Sequence, residues 1–133
     1  MKNMKTVKTI ILAGLLSVGL ACGYSAKSTT PPVAGTKPTV TALAPNSMTA
    51  GSASFVLTVN GTNFNGNAAI NWNSTAQTTT HVSANQLTAT IPAADVTTAG
   101  TVTVTVTNPG TPGGIYGGGT SAETSNSMTF TIN

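Results

Sequence analysis

The chain has 133 residues, only 5% of them charged, and a formal net charge of +3. Three of its five lysines precede Cys22, so the remainder sets Lys27 and Lys37 against Asp95 and Glu123 and is neutral. With no lysine or arginine after Lys37, the chain has nothing to neutralise a run of phosphates and no polybasic segment for anionic lipid, which excludes nucleic acid as a partner.

Residues 1–21 read as an export signal. Lys2, Lys5 and Lys8 form a basic start, and residues 9–21 carry Ile10, Ile11, Leu12, Leu15, Leu16, Val18 and Leu20. As a helix that apolar stretch would span only ~20 Å of a hydrocarbon layer ~30 Å thick, so a permanent membrane span is not expected. Gly19-Leu20-Ala21-Cys22 resembles the lipobox of bacterial lipoproteins. The resemblance implies that Cys22 receives diacylglycerol and becomes the new N-terminus, with Gly23 favouring an outer location. Gly19 and Ala21 also satisfy the small-x-small site of an ordinary signal peptidase, so two cleavage routes are open. The first places the protein at the outer membrane or cell surface, the second in the periplasm or outside. Cys22 is the only cysteine, so no intrachain disulfide holds the fold.

Residues 22–37 read as a flexible tether. Ser28-Thr29-Thr30-Pro31-Pro32 offers almost no apolar surface to offset the entropy of ordering, and the prolines favour an extended form reaching up to ~45 Å. From Pro38 to Asn133 the pattern is that of one small all-β domain. Strands are expected around Val40 and Leu43, over 55–59 and 68–72, at a possible edge over 78–82, over 87–91 and 101–106, and at 128–132, seven in all. Turns are expected at Pro45-Asn46-Ser47, Asn60-Gly61, Asn65-Gly66-Asn67, Pro92 to Asp95 and Asn108-Pro109-Gly110, with a helical turn confined to 93–99. In residues 101–107 valine and threonine alternate strictly, which predicts Val102, Val104 and Val106 inward. Leu57, Val59, Ile70, Trp72, Leu87, Ile91, Phe130 and Ile132 join them in the expected core of a β-sandwich. The threonine-rich edge near residues 78–81 is a place where a second chain could pair.

Three segments then carry a resemblance: residues 38–47 (PTVTALAPNS), 55–64 (FVLTVNGTNF) and 68–72 (AAINW) look like the IPT/TIG family of immunoglobulin-like domains. Residues 82–92 and 102–108 continue the same order. Val59-Asn60-Gly61-Thr62-Asn63-Phe64 is the most specific element, where the resemblance implies that Gly61 allows a bend and Phe64 plugs the core. Residues 110–127 depart from it, with a glycine-rich insertion, Thr111 to Gly119, in place of a short connection. The family implies an immunoglobulin-like sandwich serving as a spacer, adhesion or docking module, often beside carbohydrate-active partners, with no shared active site.

The inventory of reactive side chains is short. Beyond the tether stand His81, Asp95 and Glu123. Paired carboxylates would need Asp95 to meet Glu123, and a Ser-His-Asp arrangement would need His81 to meet Asp95. The structural alternatives are that His81 lies on an edge strand, Asp95 caps a short helical turn and Glu123 lies in a polar approach to the last strand. One histidine and two acids do not fill a metal's coordination shell, so no metal, no cofactor and no catalysis are expected. Trp72 has two readings, a core tryptophan or an exposed stacking platform for sugar. Ile115-Tyr116, inside the glycine run, could anchor a partner or sit in a mobile loop. Asn60-Gly61-Thr62 and Asn73-Ser74-Thr75 match the glycosylation sequon and are read as chance. The expected function is a non-catalytic interaction, adhesion or spacer module of the cell envelope, meeting an envelope protein or glycan. A carbohydrate-binding accessory using Trp72 and Tyr116 is the alternative, and a hydrolase using His81 and Asp95 the remote third.

Overall fold

Alternation of side chains decides which face of each strand turns inward, and it operates here along two stacked sheets. The computed structural model describes residues 30–133. The export signal at 1–21, Cys22 and the tether through residue 29 lie outside the described residues. Ten strands follow: β1 (Thr39–Ala44), β2 (Ser47–Met48), β3 (Phe55–Thr62), β4 (Ala69–Trp72), β5 (Thr75–Ala76), β6 (Thr79–Ser83), β7 (Gln86–Ile91), β8 (Gly100–Asn108), β9 (Glu123–Thr124) and β10 (Met128–Ile132). A 3₁₀ turn at Ala93–Val96 separates β7 from β8. One sheet has the order β1-β3-β7-β6, the other β2-β10-β8-β4-β5 with β9 also on β8. Every neighbouring pair is antiparallel except β2 with β10.

The seven expected strands are all present, and the three added ones are two residues long. Ser47, expected in a turn, pairs instead with Thr131, so that after the cis Ala44–Pro45 bond the chain passes from one sheet to the other. Asn73 and Ser74 close a two-residue hairpin between β4 and β5 with φ of 49° and 72°, the positive values such a tight turn requires. β6 is the exposed edge of its sheet, and a register shift between His81 and Ser83 interrupts its ladder, a feature that discourages pairing with another chain.

The core joins both sheets: Leu57, Val59, Leu87, Ala89 and Ile91 from one meet Ile70, Trp72, Val104, Val106, Phe130 and Ile132 from the other. Phe55 stacks on Phe130 at 5.5 Å between ring centres, and Trp72 lies 4.9 Å from Phe130. Val102 is the exception to the alternating pattern. It is only half-buried, because it lies near the end of β8 beside a shallow opening next to Trp72.

The corner after β3 differs from expectation in how it works. Asn60 and Gly61 belong to the strand itself, with Gly61 opposite Val40, and the positive φ of 62° falls on Asn63. Gly61 is needed for room: a β-carbon there would run into the carbonyl oxygen of Thr39 and come within 2.5 Å of Cζ of Phe64, which is itself buried. Since the Thr39 oxygen belongs to the paired backbone, Gly61→Ala is expected to cost about 1–3 kcal/mol, read as a fall in Tm on the order of 10 °C.

Candidate functional site

The two ends of the sandwich differ. At the far end lie the chain's last residue, the β4–β5 hairpin and the 3₁₀ turn. At the other, the near end, β8 runs out at Asn108 beside the start of β1, the 63–68 connection and the glycine-rich insertion.

Asn108, expected in a turn, is the last residue of β8, 1% exposed, and holds this end together. Its amide nitrogen donates to the carbonyls of Thr36 at 2.7 Å and Asn63 at 2.8 Å, while its oxygen accepts from the Asn65 amide at 3.0 Å. All three groups are backbone atoms of connecting segments that no strand partner satisfies. Asn126 does similar work across the sandwich. Its side-chain amide accepts from the Val40 amide and donates to the Val40 carbonyl, both at 2.9 Å, where the β1 ladder is irregular.

Residues 111–120, within the insertion expected over 110–127, form a small hairpin. Thr111 and Thr120 exchange backbone hydrogen bonds of 3.0 Å and bring their hydroxyls to 3.0 Å; nearer the apex Gly114 and Gly117 exchange bonds of 3.0 and 2.9 Å. The apex is Ile115-Tyr116, exposed by 88% and 83%. The second arm is lined by the end of the segment expected to be a tether. Gly118 donates to the Thr30 carbonyl, Val33 to the Gly119 carbonyl and Ser121 to the Val33 carbonyl, at 2.9–3.1 Å. Thr30 and Val33 lie parallel to Gly117 and Thr120. Gly117, with φ of 94°, makes that approach possible, since a β-carbon there would strike the Thr30 backbone. Thr30, Val33, Thr36 and Lys37, within the segment read as a tether, are therefore hydrogen-bonded to the domain. Their backbone pairing supplies what their side chains lack.

Trp72 is 4% exposed and packed against Phe55 and Phe130. It is a core residue and offers no stacking face, and it sits at the far end from Tyr116, so the two do not share a surface. The opening beside it, about 210 Å³, is lined by Trp72, Asn73, Thr75, Asp95 and Val102. Asp95 lies exposed within the 3₁₀ turn, whose N-cap position is Pro92 and has no side-chain cap, so Asp95 does not cap it.

The three titratable candidates are kept apart. His81 pairs with Leu87 at the start of β7 and places its Nε2 3.4 Å from the Phe64 carbonyl, whereas Asp95 follows the other end of β7. Glu123 pairs with Asn108 at the near end and accepts a bond from the Ser121 hydroxyl at 3.2 Å. Neither a His81–Asp95 couple nor an Asp95–Glu123 couple is assembled. Among the described residues no cluster of three His, Cys, Asp or Glu side chains forms, and no helix is long and apolar enough to cross a membrane.

Two facing sheets closed over an aromatic and aliphatic core define an immunoglobulin-like β-sandwich. The family model of the IPT/TIG domain matches residues 38–132, and the chain belongs to that family. No curated protein and no solved structure matches the chain significantly.

Proposed function

We propose that this chain is exported, cleaved before Cys22 and held at the cell envelope by a lipid on that cysteine, where its sandwich acts as a non-catalytic interaction or spacer module. The observation that carries the non-catalytic part of this reading is the arrangement of the ionisable side chains. A domain with His81, Asp95 and Glu123 dispersed along its length supplies no acid–base pair and no activated nucleophile. Its outward face on β8 is threonine instead, with Thr101, Thr103, Thr105 and Thr107 alternating with the inward valines, a surface suited to water and to polar partners.

The lipid reading follows from the basic start, the apolar stretch and the Gly19-Leu20-Ala21-Cys22 ending. A mature lipoprotein's two or three acyl chains hold firmly where one would not. In the native host, the protein is expected in the membrane fraction, resistant to high salt and released by detergent. Cys22→Ser is expected to leave the membrane fraction. A wild-type protein already free of membrane, or a Cys22→Ser variant that stays bound as firmly, would contradict the anchor.

A further inference from the structure

We infer that the 111–120 hairpin is a second, direct contact with the lipid bilayer, its apex Ile115-Tyr116 resting at headgroup level on the membrane to which Cys22 ties the chain. This rests on the anchoring reading above and names the surface that the exposed apex meets.

Direction is the first argument. Residues 30–33 run parallel to residues 117–120, so the chain followed backwards from Val33 to Thr30 travels along the second arm toward the apex. At Thr30 it lies against the apex itself, its carbonyl accepting from Gly118 and its hydroxyl 3.5 Å from the Tyr116 carbonyl oxygen. Thr30, the first described residue, thus stands on the hairpin's side of the domain.

Reach is the second. From residue 22 to residue 30 are eight steps of backbone, which span at most about 29 Å. The lipid and the apex are thus confined to the same neighbourhood, and a contact too weak to hold a free protein becomes intramolecular once the anchor is in place.

Chemistry is the third. Residues 108–122 contain no charged side chain, so bringing the hairpin to a membrane strips no ion of its water. The apex presents an aliphatic side chain beside a tyrosine, the kind of ring that settles where one edge is apolar and the hydroxyl stays wet. Val33, 61% exposed, adds apolar surface along the paired segment. Backbone that is not fully paired is not tolerated in hydrocarbon, which sets the contact at the headgroup level rather than deeper. The reciprocal bonds of Thr111 with Thr120 and Gly114 with Gly117 fix the apex before it meets the surface, so little ordering remains for the contact to offset.

The test couples the mature chain, residues 22–133, through its single thiol at Cys22 to maleimide-bearing phosphatidylcholine vesicles, which provides the anchor whatever the native host does at that residue. Trp72, buried at the far end, serves as the internal reference. Tyr116→Trp is compared with Ala53→Trp, an exposed far-end position, in vesicles with and without brominated acyl chains. The expected result is that brominated lipid removes the introduced indole's share of the emission in Tyr116→Trp and leaves Ala53→Trp and the wild type unquenched. Equal, negligible quenching in both variants would overturn the inference and return the apex to a protein or glycan partner. Mass analysis of the native N-terminus separates the two readings: an unmodified Cys22 overturns the anchor, whereas absent quenching in the coupled chain overturns the hairpin contact alone.

Discussion

Val104→Asp is expected to unfold the domain. Val104 is fully buried in the middle of β8, between Trp72 on β4 and Met128 on β10. A carboxylate there loses its water, and the only lysine or arginine among the described residues, Lys37, is exposed at the near end beyond reach. Burying an unpaired charge costs several kcal/mol, and the lost valine burial adds about 1.5–3 kcal/mol. Together these approach or exceed the ~5–15 kcal/mol by which small domains are stable. Circular dichroism should show loss of the sheet signal, and Trp72 emission should shift to the red as its ring leaves the core. Thr103→Asp, one residue earlier on the exposed outer face, is expected to change stability by no more than ~0.5 kcal/mol. A Val104→Asp protein as stable as Thr103→Asp would contradict the assignment of faces.

The second large effect is expected at Asn108. Asn108→Ala leaves the Thr36 and Asn63 carbonyls and the Asn65 amide without their partner in a position only 1% exposed. Each buried group left unpaired costs about 1–3 kcal/mol, so a loss of about 3 kcal/mol or more is expected in denaturant unfolding. Asn108→Asp has nearly the same shape but is expected to be worse. It keeps an acceptor for Asn65 and turns a negative oxygen on two carbonyl oxygens in place of the amide donor. Hydrogen exchange should report the difference locally, with the Asn65 amide losing protection in Asn108→Ala, where its acceptor is gone, and keeping more of it in Asn108→Asp. A neutral Asn108→Asp would show that the amide donor does not bind these carbonyls.

Asn108 also marks the limit of what the sequence reveals. In an Asn-Pro-Gly context it has the composition of a turn, and only its burial and its three backbone partners show that it is a fastening. The strands with alternating residues were legible because burial of one face imposes period two. β8 reads inward at Val104 and Val106, and β7 at Leu87, Ala89 and Ile91, as that period requires. β2, β5 and β9 were not, since a two-residue strand is a pair of backbone bonds with no room for a pattern. The Gly61 corner was legible as a motif and not as a mechanism. Its residues named the family, while the need for space against Thr39 and Phe64, and the positive φ at Asn63, are properties of the folded chain.

The candidate site was visible in part. Ile115 and Tyr116 stand out as large apolar residues among glycines, but the glycines suggest mobility, and the structure pairs them across Thr111–Thr120 and against residues 30–33. That pairing is made by backbone groups of Thr30, Val33, Gly118 and Gly119, to which composition is blind. Trp72 was ambiguous for the opposite reason: the same ring serves a core or a sugar, and only its contacts with Phe55 and Phe130 decide between them.

Mass spectrometry of the mature N-terminus, from protein isolated in its native host, decides whether Cys22 is the anchor. The expected chain begins at Cys22 and carries acyl groups on that residue. A chain beginning elsewhere, or an unmodified Cys22, would contradict the anchor.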